Sequence, residues 1–418
     1  MKYLSLLKYI TGVNKIYIVG GAVRDYLLNK EIKDIDLIVM SDFENIIDRF
    51  TNETDRKLIV LDKKRSIYRI VTDDNKFIDF TTPVGQDLYQ DLGCRDFTIN
   101  SMALDLRDVS YKNEKIFMDS KDIIDPFEGR SDLENKIIRM VSEDSIKEDP
   151  LRILRAFRFS NNLDFLIEEK TYEIIKENIN ITLKPANERI KEELYQLYSN
   201  YLKPARIKLL LESNILKVLF GVDLKKDRKI RKKLLKQLHF VKKNRYLENI
   251  KIESYLFNLI LFFMFLILKN KVTLKQLEDR LINYTFNKQG IDLVIDHLHF
   301  IKNLLRDYKS YLNNDILLYE ELFSKSIDIK VSKYLLLSLF HVKKDKKEKE
   351  LVFKVLNKVA EMQKRTAEKL ISGNDIKKVL NIAEGKLVGE ILEDIEGKQA
   401  LGVFKKREQL LDYIKKNY

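Results

Sequence analysis

Apolar and polar positions alternate in two different rhythms along this chain. Up to about residue 145, short apolar runs are separated by turn residues. Beyond about residue 146, apolar side chains recur at helical spacing to the end. In the first part, residues 16–19 form a short run with a β-branched majority, which predicts a buried strand. Gly20-Gly21 ends it, and residues 22–28 read as the first turns of a helix. Residues 35–39 predict a second strand, opened by Asp34-Ile-Asp36. Residues 4–10 and 43–50 have amphipathic helical spacing, and residues 57–61, 67–71 and 76–81 read as further strands. Gly93 is expected to open a helix running into a strand that ends at Asp105, and residues 116–118 close this part as another strand. In the second part no strand is expected. Residues 145–161, 168–178 and 187–201 read as helices, followed by a string of further helices with basic faces. Residues 255–268 are the most apolar stretch; they are too short to span a bilayer and suit a buried core helix.

A chain of 418 residues requires two to four domains. Its 77 Lys+Arg against 64 Asp+Glu give a formal net charge of +13, which suits a polyanionic partner. Lys-rich segments recur at 225–236, 242–245 and 343–349 without a repeat period, and each alone is a solvated face as readily as a binding surface. Cys94 is the single cysteine, which excludes a disulfide framework and a cysteine zinc site. His239, His297, His299 and His341 form no ligand pattern, and Asp296-His297 reverses the order of the His-Asp pair of metal phosphohydrolases. Residues 1–8 carry lysines among leucines and do not read as a signal peptide, so a cytoplasmic protein without membrane attachment is expected.

The candidate chemistry gathers around the glycine turn. Strand, Gly20-Gly21 and helix together present backbone N–H groups to an anion. Asp34 and Asp36 project from one face of the second strand, beside that anion site. Two carboxylates this close require a cation or a proton between them, and a divalent metal such as Mg²⁺ also couples them to phosphate. Asp79 lies in a strand-like stretch; on a neighbouring strand it adds a third carboxylate to a two-metal clamp for phosphoryl or nucleotidyl transfer. Arg24 can fork onto a triphosphate, with Asp25 fixing either Arg24 or the turn. Arg95 can meet phosphate. Asp96 and Asn100, one helical turn apart, either hold a ribose hydroxyl or position Arg95; capping and packing are the alternative. Arg152, Arg155 and Arg158 recur every three residues beside the apolar stripe of Leu151, Leu154 and Phe157, just after Asp149-Pro150. Asp149 accepts hydrogen bonds and Arg152 donates them. Cytosine and adenine each offer an amino donor next to an unprotonated ring nitrogen, whereas guanine and uracil offer a carbonyl next to an N–H. An Asp149–Arg152 pair on the Watson–Crick edge would therefore select C and A without a template.

These pieces, in order, resemble the class II tRNA nucleotidyltransferases (CCA-adding enzymes) and the related bacterial poly(A) polymerases. The matching segments are Gly20-Gly-Ala-Val-Arg-Asp25 with Asp34-Ile-Asp36, Arg95-Asp-Phe-Thr-Ile-Asn100, Asp125-Pro-Phe-Glu-Gly129, Glu148-Asp-Pro-Leu-Arg152 with Arg155 and Arg158, and Asn187-Glu-Arg-Ile-Lys-Glu-Glu-Leu194. A looser echo follows at 372–376 and 385–389. The resemblance implies an α+β nucleotidyltransferase head, β-sheet with flanking helices, followed by all-α neck, body and tail. The corresponding segments are 1–145, 146–205, 206–330 and 331–418, the last binding tRNA. It further implies Mg²⁺ on Asp34 and Asp36, and an incoming CTP or ATP on Gly20, Gly21, Arg24, Arg95, Asp149, Arg152, Arg155 and Arg158. The implied substrate is the tRNA 3′ end, extended to CCA with release of pyrophosphate. Two departures stand out. Cys94 replaces a second arginine, and only residues 80–94 separate Asp79 from Arg95, where CCA-completing members carry a longer loop. The short segment resembles the CC-adding branch, which leaves the A to a partner enzyme. A poly(A) polymerase, a catalytically inactive RNA-binding protein and a small-molecule nucleotidyltransferase are the other readings.

Overall fold

The computed structural model describes residues 2–11, 15–32, 34–73, 76–112, 115–244, 252–323 and 327–418. It divides into two compact units, Met1–Glu193 and Leu194–Tyr418, a coarser division than the four segments expected.

The first unit begins with α1 (Lys2–Thr11), β1 (Ile16–Val19), α2 (Gly21–Leu27), β2 (Asp34–Val39) and α3 (Phe43–Thr54). β3 (Ile59–Asp62), β4 (Ile67–Val71), β5 (Phe77–Thr81), α4 (Leu88–Gly93) and β6 (Ala103–Asp105) follow. The six strands make one mixed sheet in the order β3-β4-β5-β2-β1-β6. β1 is buried at every position, as befits a strand covered on both faces. Ile18, Leu37 and Phe80 are in register on one face, where Phe80 meets Phe50 of α3 at 5.5 Å between ring centroids. Tyr17, Val19 and Ile38 belong to the other face and pack against Leu88 and Leu92 of α4. The Asp34–Asp36 end of β2 runs out beyond this cover: Leu37 to Val39 are buried, Asp36 is half-buried and Asp34 exposed.

Three expectations are corrected here. Gly93 ends a helix rather than opening one, and the Asp96–Asn100 segment is closed by a short 3₁₀ turn, Thr98–Asn100. The helix expected over 145–161 is broken into two, Glu143–Glu148 and Leu151–Leu163. Asp149 is extended (φ −134°, ψ 94°) because the ring of the following Pro150 disfavours the α conformation there. Strands also do not stop at residue 146. Leu166–Ile167 pairs in parallel with Ile137–Ile138, a two-residue ladder too short to leave a periodic signal.

The second unit is helical among the described residues. Its most apolar helix, Ser254–Leu268, is buried from Tyr255 to Ile267, as its composition requires. Among the described residues no helix is long and apolar enough to cross a membrane. His297 is a core residue: Leu293 O lies 2.9 Å from its Nδ1, and its Nε2 accepts from Asp328 N at 3.2 Å. Helix Arg228–Lys243 buries Ile230, Leu234, Leu238 and Val241. Its basic side lines a cleft of about 990 Å³ with Lys208, Arg228, Lys229, Arg231, Lys232 and Lys236. The basic run at 242–245 ends on Arg245, which lies outside the described residues.

Candidate functional site

Strand register creates the centre of the site. Asp36 is paired with Val19, the residue before Gly20, on one side and with Asp79 on the other. The glycine turn, Asp36 and Asp79 are therefore neighbours by backbone geometry alone. Gly20 has φ +69° and ψ −124°, a conformation that suits glycine. A Cβ there would lie 2.7 Å from Arg95 Nη1, so the missing side chain is also the space the guanidinium uses.

Neither the Asp34 nor the Asp36 carboxylate accepts a hydrogen bond or joins an ion pair among the described residues. Burial raises the Asp36 carboxyl above its ordinary range; Arg95 opposes this, and Asp79 and Asp34 reinforce it. A half-buried carboxylate with no protein donor and two carboxylates close by has the chemistry of a cation ligand. Asp79 is in the expected place but not free: Arg69, its cross-strand partner, donates Nε and Nη2 to its two oxygens at 2.7 and 2.7 Å. Among the described residues no group of three or more His, Cys, Asp or Glu side chains is placed to hold a metal ion.

An open cleft of about 440 Å³ lies in front of Asp36. Gly20, Gly21, Arg24, Arg95, Asp96, Asn100, Asp149, Arg152 and Arg155 line it. Of the expected site residues, Asp34, Asp79 and Arg158 do not. Arg24 donates Nε to Asp25 at 2.8 Å and Nη1 to Asn100 Oδ1 at 2.7 Å, so of its two expected roles Asp25 takes that of fixing Arg24. Asn100 in turn donates to Asp96 at 2.9 Å. Asp96 also accepts from Phe97 N at 2.8 Å and from Arg155 at 2.8 and 2.6 Å. Burial alone would raise the Asp96 carboxyl, but Arg155, Asn100 and the Phe97 N–H outweigh it and hold it at about 2. Asp96 is thus a buried anion that fixes one arginine directly and a second through Asn100.

The break at Asp149-Pro150 places Asp149 and Arg152 at the mouth of the cleft. Arg152 donates to two backbone carbonyls, Ser145 O at 3.1 Å and Cys94 O at 2.6 Å, which pins its plane and leaves other N–H groups available. Asp149 accepts from Leu151 N at 3.2 Å and from Arg189 Nη2 at 2.7 Å. A carboxylate has acceptor capacity beyond these two bonds. Arg155 and Arg158 turn inward to share Glu193, at 3.3 and 2.5 Å.

Among the contributors that sequence reasoning missed are Arg189, Glu193 and Phe159. Arg189 lines the cleft and pairs with Asp149; it stands in the segment 187–194, but one arginine among mixed charges carries no signal of its own. Glu193 clamps two arginines on helix Leu151–Leu163, a long-range pairing with no local pattern. Phe159 lies under three guanidinium groups, those of Arg24, Arg155 and Arg158, at 5.2, 5.3 and 4.1 Å from its centroid. An aromatic next to Arg158 was the available hint.

Residues 16–139 match the poly A polymerase head domain. The chain is similar to the CC-adding tRNA nucleotidyltransferase of Halalkalibacterium halodurans, 35% identical over 219 residues, 52% of this chain and 53% of that protein. It is also similar to the CCA-adding enzyme of Lactobacillus helveticus, 35% identical over 193 residues, 43% of this chain and 45% of that protein. The chain thus spans about half the length of these relatives. In fold the likeness runs the whole length. The Thermotoga maritima CCA-adding enzyme, solved in complex with tRNA, superposes with a TM-score of 0.68 at 24% identity, covering 99% of this chain and 95% of that one. A CCA-adding enzyme solved with CTP gives 0.69 at 23% identity, covering 99% and 93%. The head is thus similar in sequence to the poly A polymerase head domain, and the whole chain shares the fold of the solved CCA-adding enzymes.

Proposed function

We propose that this chain is a template-independent tRNA nucleotidyltransferase that adds CMP and then AMP from CTP and ATP to the tRNA 3′ end. The observation that carries the reading is one cleft holding both Asp36, beside the glycine turn, and the Asp149–Arg152 pair. The first is suited to a triphosphate and cation, the second to a base edge. Arg24 and Arg95 receive the triphosphate, with Gly20 and Gly21 allowing its close approach. Asp34 and Asp36 hold a divalent cation, Mg²⁺ in our reading; when bound it activates the attacking 3′-hydroxyl and neutralises charge on the phosphates. Asp79, neutralised in part by Arg69, adds to the negative field at Asp36. Asp149 accepts from the amino group of cytosine or adenine, and Arg152 donates to the adjacent ring nitrogen. Asp96, Asn100, Arg155 and Arg158 act by positioning the groups that touch the nucleotide. The basic cleft on helix Arg228–Lys243 and the +13 net charge suit the polyanionic tRNA.

A second reading, addition of two cytidines and no adenosine, is favoured by one observation. Only residues 82–87 connect β5 to α4, shorter still than the sequence pattern suggests, because α4 takes up most of the remainder. The test is extension of a tRNA transcript lacking its last three nucleotides, with Mg²⁺ and CTP, ATP or both, resolved at single-nucleotide length. Addition of C, C and A is expected. Two cytidines and a stop with ATP present supports the CC-adding reading, an adenosine ladder supports a poly(A) polymerase, and no addition overturns the proposal.

A further inference from the structure

The cleft contains one carboxylate that a triphosphate site should not tolerate. Asp91, on the last turn of α4, lines the cleft with its side chain only 6% exposed. Its negative charge would repel a nucleotide unless it is used otherwise. The structure shows the use. Asp91 Oδ2 accepts from both Nε and Nη2 of Arg95, at 3.0 and 3.0 Å. The other oxygen, Oδ1, accepts from Val84 N at 3.0 Å. One edge of the Arg95 guanidinium is thereby fixed, and Nη1 is left at the glycine turn, 2.7 Å from where a Gly20 Cβ would lie.

The second bond of Asp91 makes the arrangement stiff. Val84 belongs to the connection over residues 82–87, which folds back onto α4. Gln90 Oε1 accepts from Gln86 N at 2.9 Å, and Asp87 Oδ1 accepts from Gln90 N at 2.8 Å to cap the helix. Gly85 (φ +89°) brings the chain so close to Gln90 that a Cβ would collide with it. One carboxylate thus joins the connection after the Asp79 strand to the arginine above the glycine turn.

We propose that Asp91 is a positioning residue for nucleotide binding: it aims Arg95 at the triphosphate and cancels its own charge against Arg95 in doing so. The inference rests on the reading of the cleft as a nucleotide site. It makes a prediction a merely structural role would not, because the effect of Asp91 must pass through Arg95. Asp91→Asn is nearly isosteric and keeps an acceptor for Val84 N, but turns an amide donor towards Arg95. Both bonds from Arg95 to Oδ2 are lost; taking the effect on CTP binding as that of one charge-assisted bond, about 1.5–3 kcal/mol, gives roughly ten- to a hundredfold.

The experiment measures CTP affinity by titration calorimetry with Mg²⁺ present, on the full chain, for wild type, Asp91→Asn, Arg95→Ala and the double variant. Asp91→Asn is expected to bind CTP about ten- to a hundredfold more weakly, and Arg95→Ala at least as weakly. The double variant should bind no more weakly than Arg95→Ala, since with Arg95 gone Asp91 only repels the triphosphate. Asp91→Asn binding within twofold of wild type overturns the inference, as does a double variant that loses both factors in full. Should Asp91→Asn fail to fold, Asp91→Glu, which keeps the charge and displaces it by one methylene, is carried through the same cycle with a smaller loss expected. Wild-type protein that binds no CTP overturns the nucleotide reading itself, and the inference with it.

Discussion

Asp96→Asn removes the charge on which the arginine scaffold of the cleft depends, and its cost can be worked from the structure. Asp96 takes two hydrogen bonds from Arg155 and one each from Asn100 and Phe97 N, almost wholly out of solvent. Its carboxyl is held at about 2 against an ordinary 3.8. At about 1.36 kcal/mol for each tenfold in proton affinity, the folded state favours the ionised form by ~2 kcal/mol. Breaking a buried pair by removing one partner costs about 3–5 kcal/mol, so the expected loss for Asp96→Asn is about 2–5 kcal/mol. The sign with pH follows from the depressed value. The stabilisation is complete above the unfolded carboxyl value near 4, and is lost as pH falls towards about 2. Because the chain has two compact units, local stability is the appropriate readout. Hydrogen exchange of peptides covering residues 95–105 and 151–163 should accelerate roughly thirtyfold or more in the variant at neutral pH. After correction for intrinsic rates, wild type should lose this protection between about pH 4 and 2, and the variant should have none of it to lose. Protection within threefold of wild type at neutral pH would refute the assignment of Asp96 as the anchoring anion.

Two further perturbations probe the other half of the site. Asp36→Ala should abolish nucleotide transfer while tRNA affinity, measured by filter binding, stays within about twofold; retained turnover would remove Asp36 from the cation site. Gly20→Ala places a methyl in a left-handed backbone conformation and 2.7 Å from Arg95 Nη1. It should cost about 1–3 kcal/mol of stability and weaken CTP binding. A variant with unchanged CTP affinity would show that Arg95 does not use that space.

Much of this was legible in the sequence because it is local. The β1–glycine–α2 element, Asp34 and Asp36 on one strand face, and the Arg24–Asp25 pair each follow from spacing within a few residues. The break after Asp149 is announced by Pro150, yet the helical spacing over 145–161 suggests one continuous helix. What the sequence hid is pairing at a distance. Asp79 stands beside Asp36 as expected, but its capture by Arg69 depends on the β4–β5 register. Arg158 has the spacing of a cleft residue and instead faces Glu193, thirty-five positions away. Asp96 and Asn100 do meet, through a 3₁₀ turn instead of the helix that would have brought them together equally well. Asp91 gave no signal, since a lone acidic residue near a helix end is ordinary until Arg95 and Val84 are seen to share it.

The central claim is that protein side chains, and not a template, choose the nucleotide. The most direct test compares kcat/KM for CTP and UTP on a tRNA transcript lacking CCA, in wild type and Asp149→Ala. Wild type should strongly prefer CTP, because UTP would set a carbonyl against Asp149 and an N–H against Arg152. Each unsatisfied buried group costs about 1–3 kcal/mol, so removing Asp149 should reduce the preference by roughly five- to a hundredfold. An unchanged CTP-to-UTP ratio in Asp149→Ala, with transfer still measurable, would contradict the account.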